Sequence, residues 1–167
     1  MERASLTSTH GREDILSTRL LIIALLFIGC SSQNTTLPYP LTISEEGLGA
    51  IHPDTPFEQI STSLSGFEFE KLSQISPEHP EMIYQMKRGG RLIAHIVSDS
   101  SGKKISEIHI LSPLIKNKHD IGLGETIPQN TPLNCRDELC SYPDEPSLYY
   151  RIDSKTRTIR EITFQKL

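Results

Sequence analysis

Apolar and polar residues alternate along much of the chain after residue 40, which is the pattern of strands that bury one face. The segments that carry this pattern are Leu41–Ile43, Phe67–Leu72, Met82–Lys87, Leu92–Ser98, Lys104–Leu111, Tyr149–Ile152 and Thr158–Gln165. Two pairs of them flank short polar turns, at Asp99–Gly102 and Asp153–Lys155, and these predict hairpins. Consecutive strands with short turns favour an antiparallel meander.

One segment follows a helical period instead. Thr55 is placed to cap a helix, Pro56 suits its first position, and Glu58 completes a capping box. The helix would end at Gly66. The residues predicted to share its apolar face are Phe57, Ile60, Ser61 and Leu64. We therefore expect an α+β fold, an antiparallel β-meander with one short N-terminal helix packed on the sheet.

A short glycine element occurs twice, as Gly47–Gly49 and Gly122–Gly124. The first copy suits a sharp turn in which two residues need positive φ. Thr126–Gln129 repeats the pattern of a helix cap, but Pro128 and Pro132 leave little room for a second helix. The repetition predicts two similar halves, each entering its strands from a glycine turn.

The first 40 residues differ from the rest. Arg19 leads into the uncharged apolar run Leu20–Ile28, which is far shorter than the roughly 20 residues that cross a bilayer as a helix. Its length and flanks are those of a secretory signal core. Residues 31–40 are polar and then stiffened by Pro38 and Pro40, which is typical of a tether.

Phe27–Cys30 resembles a bacterial lipoprotein box. The resemblance implies that the thiol of Cys30 takes a diacylglycerol and that the chain is cut before it. By resemblance to lipoprotein sorting signals, the presence of Ser31 rather than Asp directly after the cysteine favours the outer membrane. We expect a signal peptide over residues 1–29, lipidated Cys30 and tether over 30–40, and one periplasm-facing domain over 41–167. An ordinary signal peptide with an incidental cysteine, or a short buried helix, is the alternative.

Two cysteines remain, Cys135 and Cys140, in what would be an oxidising compartment. Their spacing suits a bridge across a hairpin mouth, which would contribute about 2 kcal/mol in the chain-entropy model. A redox pair or half of a metal site are the alternatives, although redox pairs are usually spaced C-x-x-C and no second pair exists for zinc.

The net charge is −4, and the charges of the leader cancel. A mildly acidic surface argues against nucleic acid as a partner and leaves the membrane, through the anchor, and an envelope protein. The glycine elements lack the spacing of a phosphate loop. We therefore expect no cofactor.

The candidate chemistry lies on one predicted hairpin. If Ser98 closes against Lys104, His95 lies opposite Glu107, and His109 lies two positions on along the same face. Two imidazoles and a carboxylate could hold zinc. A solvated polar face is the commoner arrangement, and one residue of slip separates the three. No nucleophile, base and orienting group can be assembled from the sequence.

The remaining polar groups are expected in loops. Three further histidines after residue 40 stand beside Pro or Asp in predicted loops: His52, His79 and His119. Lys116–His119 forms a small basic patch, which is usually a solvated loop.

Several of these features together resemble one family. They are Ser44–Gly49 with Thr55–Pro56, Ile105–Leu111, Ile121–Gly124, the Cys135/Cys140 pair and Leu148–Tyr150. They are similar to the small enterobacterial-type envelope lipoproteins under sigma-E stress control, a domain family of unknown function. The resemblance covers about Leu41 to Phe164, and it implies an α+β periplasmic domain with no assigned catalytic residues.

We therefore expect a lipid-anchored, non-enzymatic interaction or binding module of the envelope, with no catalytic residues. The alternatives are a periplasmic hydrolase that uses the His95, Glu107 and His109 face, and a carrier that shelters a small apolar ligand between helix and sheet.

Overall fold

The computed structural model describes residues 41–72 and 81–166. The predicted signal peptide, Cys30 and tether lie outside these residues, as does His79. The strands are β1 (Ile43–Ser44), β2 (Gly47–Leu48), β3 (Glu68–Leu72), β4 (Ile83–Arg88), β5 (Arg91–Ser98), β6 (Ile105–Ile110), β7 (Asn134–Arg136), β8 (Leu139–Tyr142), β9 (Glu145–Ile152) and β10 (Ile159–Gln165). A 3-10 turn, Phe57–Gln59, leads into a helix α1, Ile60–Ser63.

Within the described residues, eight strands form one antiparallel sheet in the order β3-β4-β5-β6-β10-β9-β8-β7. The sheet consists of two four-stranded meanders, β3–β6 and β7–β10, joined side by side by their last strands. β1 and β2 form a small separate ladder. The prediction of a β-rich α+β fold with short turns is confirmed at this level, but the meander is two meanders rather than one.

One face of the sheet carries the hydrophobic core. The row across its middle is Met86, Ala94, Ile110, Ile162, Tyr150 and Cys140, and each of these side chains is buried. The helix and the loops cover this face with Ile43, Leu48, Ile51, Phe57, Ile60, Ile115 and Ile127. Because the period of a strand is two, the alternate residues point to the other face, which the described residues leave open.

The helix lies where the sequence predicts it, but it is shorter and differently capped. Phe57 and Ile60 are fully buried, and the Phe57 ring lies 4.8 Å from that of Tyr84 on β4. Ser61, predicted on the apolar face, is exposed. The predicted capping box does not form, because the Thr55 hydroxyl accepts the backbone N–H of His52 at 2.9 Å instead.

The first glycine turn is confirmed: φ is 110° at Gly47 and 58° at Gly49. A Cβ at Gly47 would lie 2.1 Å from the carbonyl oxygen of Ile51, so this position requires glycine. The second element, in which Gly124 has φ of 80°, is followed over residues 126–133 by irregular chain that contains a turn, closed by the N–H of Thr131 on the carbonyl of Pro128, and no helix. No helix among the described residues is long and apolar enough to span a bilayer.

Cys135 and Cys140 form a disulfide directly across the β7–β8 hairpin, with their Cα atoms 4.0 Å apart. The sequence predicted the bridge and its hairpin mouth but did not identify the strands, because residues 134–142 carry no alternating apolar pattern. The bond links the edge strand β7 covalently to β8.

Candidate functional site

A row of polar side chains crosses the open face of the sheet, one from each strand. Its members in order are Glu70, Gln85, His95, His109, Thr163, Tyr149, Ser141 and Asn134. The predicted register of the β5–β6 hairpin was therefore wrong by two residues: His95 lies opposite His109, and Glu107 lies opposite Val97. Ser98 pairs with Ile105 instead of Lys104, and a bulge between Val97 and Ser98 shifts the ladder by one residue more.

The predicted trio shares this face, but the structure bonds only His109 and Glu107 to each other, while His95 faces a different partner. His109 Nε2 donates to Glu107 Oε2 at 2.8 Å, and its Nδ1 lies 3.2 Å from the Thr163 hydroxyl. His95 Nε2 faces the amide of Gln85 at 3.5 Å. Burial and the neighbouring His109 lower the pKa of His95. Among the described residues, no three His, Cys, Asp or Glu side chains are grouped to hold a metal ion.

The structure does assemble a hydroxyl, an imidazole and a carboxylate that the sequence did not. Thr163, His109 and Glu107 stand in that order on β10 and β6. The Thr163 hydroxyl also lies 3.2 Å from Glu161 Oε1, and Glu161 is held by Arg151 at 3.0 Å. This is a continuous hydrogen-bonded chain over a flat part of the sheet.

A second site lies at the other side of the molecule, where the loop after β6 meets the turn between β8 and β9. It is an open cleft of about 660 Å³. The residues that line it are His119, Ile121, Pro128, Asn130, Thr131, Pro132, Tyr142, Pro143 and Asp144. The rings of His119 and Tyr142 stack with centroids 4.3 Å apart. Flat apolar surface thus adjoins a few amide, hydroxyl and carboxylate groups, the mixture typical of ligand sites.

Beside this cleft lies a buried polar cluster. Asn117 Nδ2 donates to the Tyr150 hydroxyl at 2.9 Å, and that hydroxyl donates to Glu145 Oε2 at 3.4 Å. Glu145 is 1 % exposed and Tyr142, which lines the cleft, is 3 % exposed. Within the described residues, Glu145 Oε1 and the Tyr142 hydroxyl have no hydrogen-bond partner. Buried groups of this kind are normally satisfied, so the Tyr142 hydroxyl, a donor, and Glu145 Oε1, an acceptor, are exceptions among the described residues.

One lysine beside the cleft pairs with two carboxyl groups. Lys118 Nζ donates to Asp144 Oδ2 at 2.6 Å and lies 3.8 Å from Glu145 Oε1. Its hydrogen bond lowers the pKa of Asp144, whereas burial raises the pKa of Glu145 and of Tyr142. Lys116 is likewise paired with Glu125. The predicted basic patch is therefore neutralised, and its Asn117 is buried rather than solvated.

The sequence placed His52 and His119 in exposed loops, and both are exposed. It did not find the cleft. Asn117 and Tyr150 are 33 residues apart, and their contact depends on a loop with no periodic pattern. Glu145 gave no signal either, because it is out of phase with Leu148, Tyr150 and Ile152, which alternate as the buried residues of β9.

Replacing Glu145 with glutamine is expected to change how stability depends on pH. The folded carboxyl has a pKa above its ordinary value of 4.5, so the folded state binds its proton more tightly than the unfolded chain does. Its contribution is therefore fully present below the unfolded pKa and is lost as pH rises through the folded pKa. E145Q stays neutral and should gain stability relative to wild type across that window, as measured by urea denaturation at a series of pH values.

Asp144→Asn is the control of opposite sign. Its carboxyl has a lowered pKa, so it contributes stability above the unfolded pKa that is lost as pH falls. D144N should lose stability relative to wild type near neutrality and match it in acid. Parallel pH curves for E145Q and wild type would contradict the role assigned to Glu145.

Comparison with known proteins gives one informative likeness. No protein-family model matches the chain, and no curated protein matches it. Among solved structures, the fold is similar to the uncharacterized protein yfeY from Escherichia coli, with a TM-score of 0.59 and 15 % sequence identity. The match covers 75 % of this chain and 99 % of that one. At this identity the likeness concerns the fold.

Proposed function

We propose that this chain is an outer-membrane lipoprotein, anchored through Cys30 and facing the periplasm, whose domain binds an envelope component in the cleft beside Tyr142. The placement is supported by the leader and the lipoprotein-box resemblance of Phe27–Cys30. The observation that carries the binding function is the open cleft, whose lining combines the stacked His119 and Tyr142 rings with amide, hydroxyl and carboxylate groups.

Membership of the sigma-E-controlled envelope lipoproteins belongs to the same proposal. It is supported by the sequence features that resemble that family and by a fold similar to a protein from an enterobacterium. It adds the expectation that production of the protein rises under envelope stress.

The chemistry of the cleft favours a saccharide-bearing ligand. The exposed His119 ring, which stacks on the buried Tyr142 ring, and three prolines offer flat apolar surface, which suits the apolar face of a sugar ring. Asn130, Thr131 and Asp144 supply groups that hydrogen-bond to hydroxyls and amides. The carboxylates disfavour an anionic ligand, so a neutral or amino sugar is the better match.

We prefer binding to hydrolysis or lipid carriage. Thr163, His109 and Glu107 have the order of a hydrolytic triad, but they lie on interior strands whose backbone N–H groups bond within the sheet and cannot stabilise an oxyanion. The space between helix and sheet, where a carrier would hold lipid, is filled by Phe57 and Ile60.

Titration with soluble N-acetylglucosamine oligomers, followed by backbone amide shifts, tests this function. We expect shifts that cluster around residues 117–132 and 142–145. Asn130→Ala and Asp144→Asn should each weaken binding about 2- to 10-fold, since one hydrogen bond contributes ~0.5–1.5 kcal/mol.

The matched controls lie away from the cleft. Asn134→Ala removes an exposed amide from β7, and Asp54→Asn removes an exposed carboxylate that also pairs with a lysine, Lys166, at 2.9 Å. Both should bind like wild type. Absence of shifts, or equal losses in cleft and control variants, would rule out saccharide binding in this cleft.

A further inference from the structure

Two large apolar side chains are exposed in the single loop that follows β6. Leu111 is 43 % exposed and Leu114 is 58 % exposed, and Pro113 between them is also exposed. Isolated exposed leucines are ordinary on protein surfaces, but two of them three residues apart form a contiguous apolar tip. We call Leu111, Pro113 and Leu114 the apolar tip.

The backbone holds this tip in place. The N–H of Leu111 donates to the carbonyl of Ile93 at 2.9 Å, and that of Leu114 donates to the Ser112 hydroxyl at 3.3 Å. Ser112 and Ile115 are buried and turn inward between the exposed residues. An ordered turn therefore holds the leucines outward. Because this turn is already ordered, binding a partner would cost little further conformational entropy.

The start of the domain lies at the same place. Lys116 N–H donates to the carbonyl of Leu41 at 3.4 Å, and Ile43 N–H donates to the carbonyl of Lys116 at 2.9 Å. Because the two segments run parallel, Leu41 and the residue before Lys116 lie at the same end, which is the end next to Leu114. The chain that precedes Leu41 carries Cys30.

We infer that the apolar tip inserts into the lipid interface of the membrane that holds the anchor, so that the domain stands on the bilayer through Leu111 and Leu114. This docking rests on the proposed lipid anchor. Once the acyl chains hold the protein, the tip meets the membrane at a high effective concentration, so even a weak insertion is populated. Only ten residues, 31–40, separate the anchor from the domain. This short tether keeps the tip close to the membrane surface, so we take lipid as its partner.

The chain contains no tryptophan, so a single introduced Trp reports its own surroundings without background. Leu114→Trp and Leu111→Trp place the reporter in the tip. Ser100→Trp places it in the exposed turn at the opposite end of β6, about 20 Å away along the strand. Each full-length lipidated variant is reconstituted into vesicles with brominated phospholipids, and emission is compared with that in unbrominated vesicles after flotation.

We expect the protein to float with the vesicles and the emission of both tip variants to fall at least about twofold, since an inserted side chain lies ~5–10 Å into the headgroup–acyl boundary. S100W should keep its emission. If the protein floats and the tip variants are quenched no more than S100W, the docking is overturned while the anchor stands. If the protein does not float, the anchor itself fails, and the docking fails with it.

Discussion

Replacing Cys30 with serine is expected to abolish fatty-acid labelling of the protein and to remove it from the outer-membrane fraction. Under the proposed lipidation, the diacylglycerol would be held through the sulfur of this residue, and its buried methylenes would contribute about 0.8 kcal/mol each to membrane attachment. Serine has no thiol, so no acyl chain is attached. Growth with an alkyne-bearing fatty acid, followed by density-gradient fractionation of the envelope, measures both effects.

The control removes the other two cysteine thiols of the chain. Cys135→Ser combined with Cys140→Ser breaks the hairpin disulfide but leaves Cys30, so this variant should still be labelled and should remain with the outer membrane. Unchanged labelling of C30S, or loss of labelling in the double variant alone, would contradict the proposed site of attachment.

Replacing Phe57 with alanine is expected to cost about 3–5 kcal/mol of unfolding free energy. Phe57 is fully buried, its ring lies 4.8 Å from that of Tyr84, and its backbone N–H donates to Lys103 at 2.9 Å. It fixes the helical segment onto the sheet. Alanine leaves a cavity between two ordered elements that cannot collapse into it. Urea denaturation followed by tyrosine fluorescence measures the loss.

Phe67→Ala is the matched control. Phe67 is only partly buried, with the Arg88 guanidinium 5.9 Å from its ring, so its loss should cost about 1 kcal/mol. Equal losses at positions 57 and 67 would mean that the helical segment does not anchor the core.

The parts of the fold that follow from local pattern could be predicted from the sequence. The alternation in residues 104–111 yields β6, and the glycine pair after Arg88 yields the turn between β4 and β5. Bulges could not be predicted. One between Val97 and Ser98 accounts for one of the two residues by which the β5–β6 register departs from the prediction, and another after Met86 lets Ile93 be buried while Leu92 stays partly exposed. A bulge inserts one residue without altering the periodicity on either side.

The cleft depends on pairings that leave no local trace. Asn117 lies in what resembles a charged surface loop, yet it is buried against Tyr150. Such contacts are set by how two distant segments meet, so composition and spacing do not reveal them.

The side-by-side joining of the two meanders has a consequence for export. β6 is complete after residue 110, but its second neighbour is β10, the last strand of the chain. In the proposed export from the N-terminus, β6 would stay an open edge until β10 has followed it. An open edge pairs readily with any free strand. The first half would then need to be shielded, and two chains in this state could exchange their second halves.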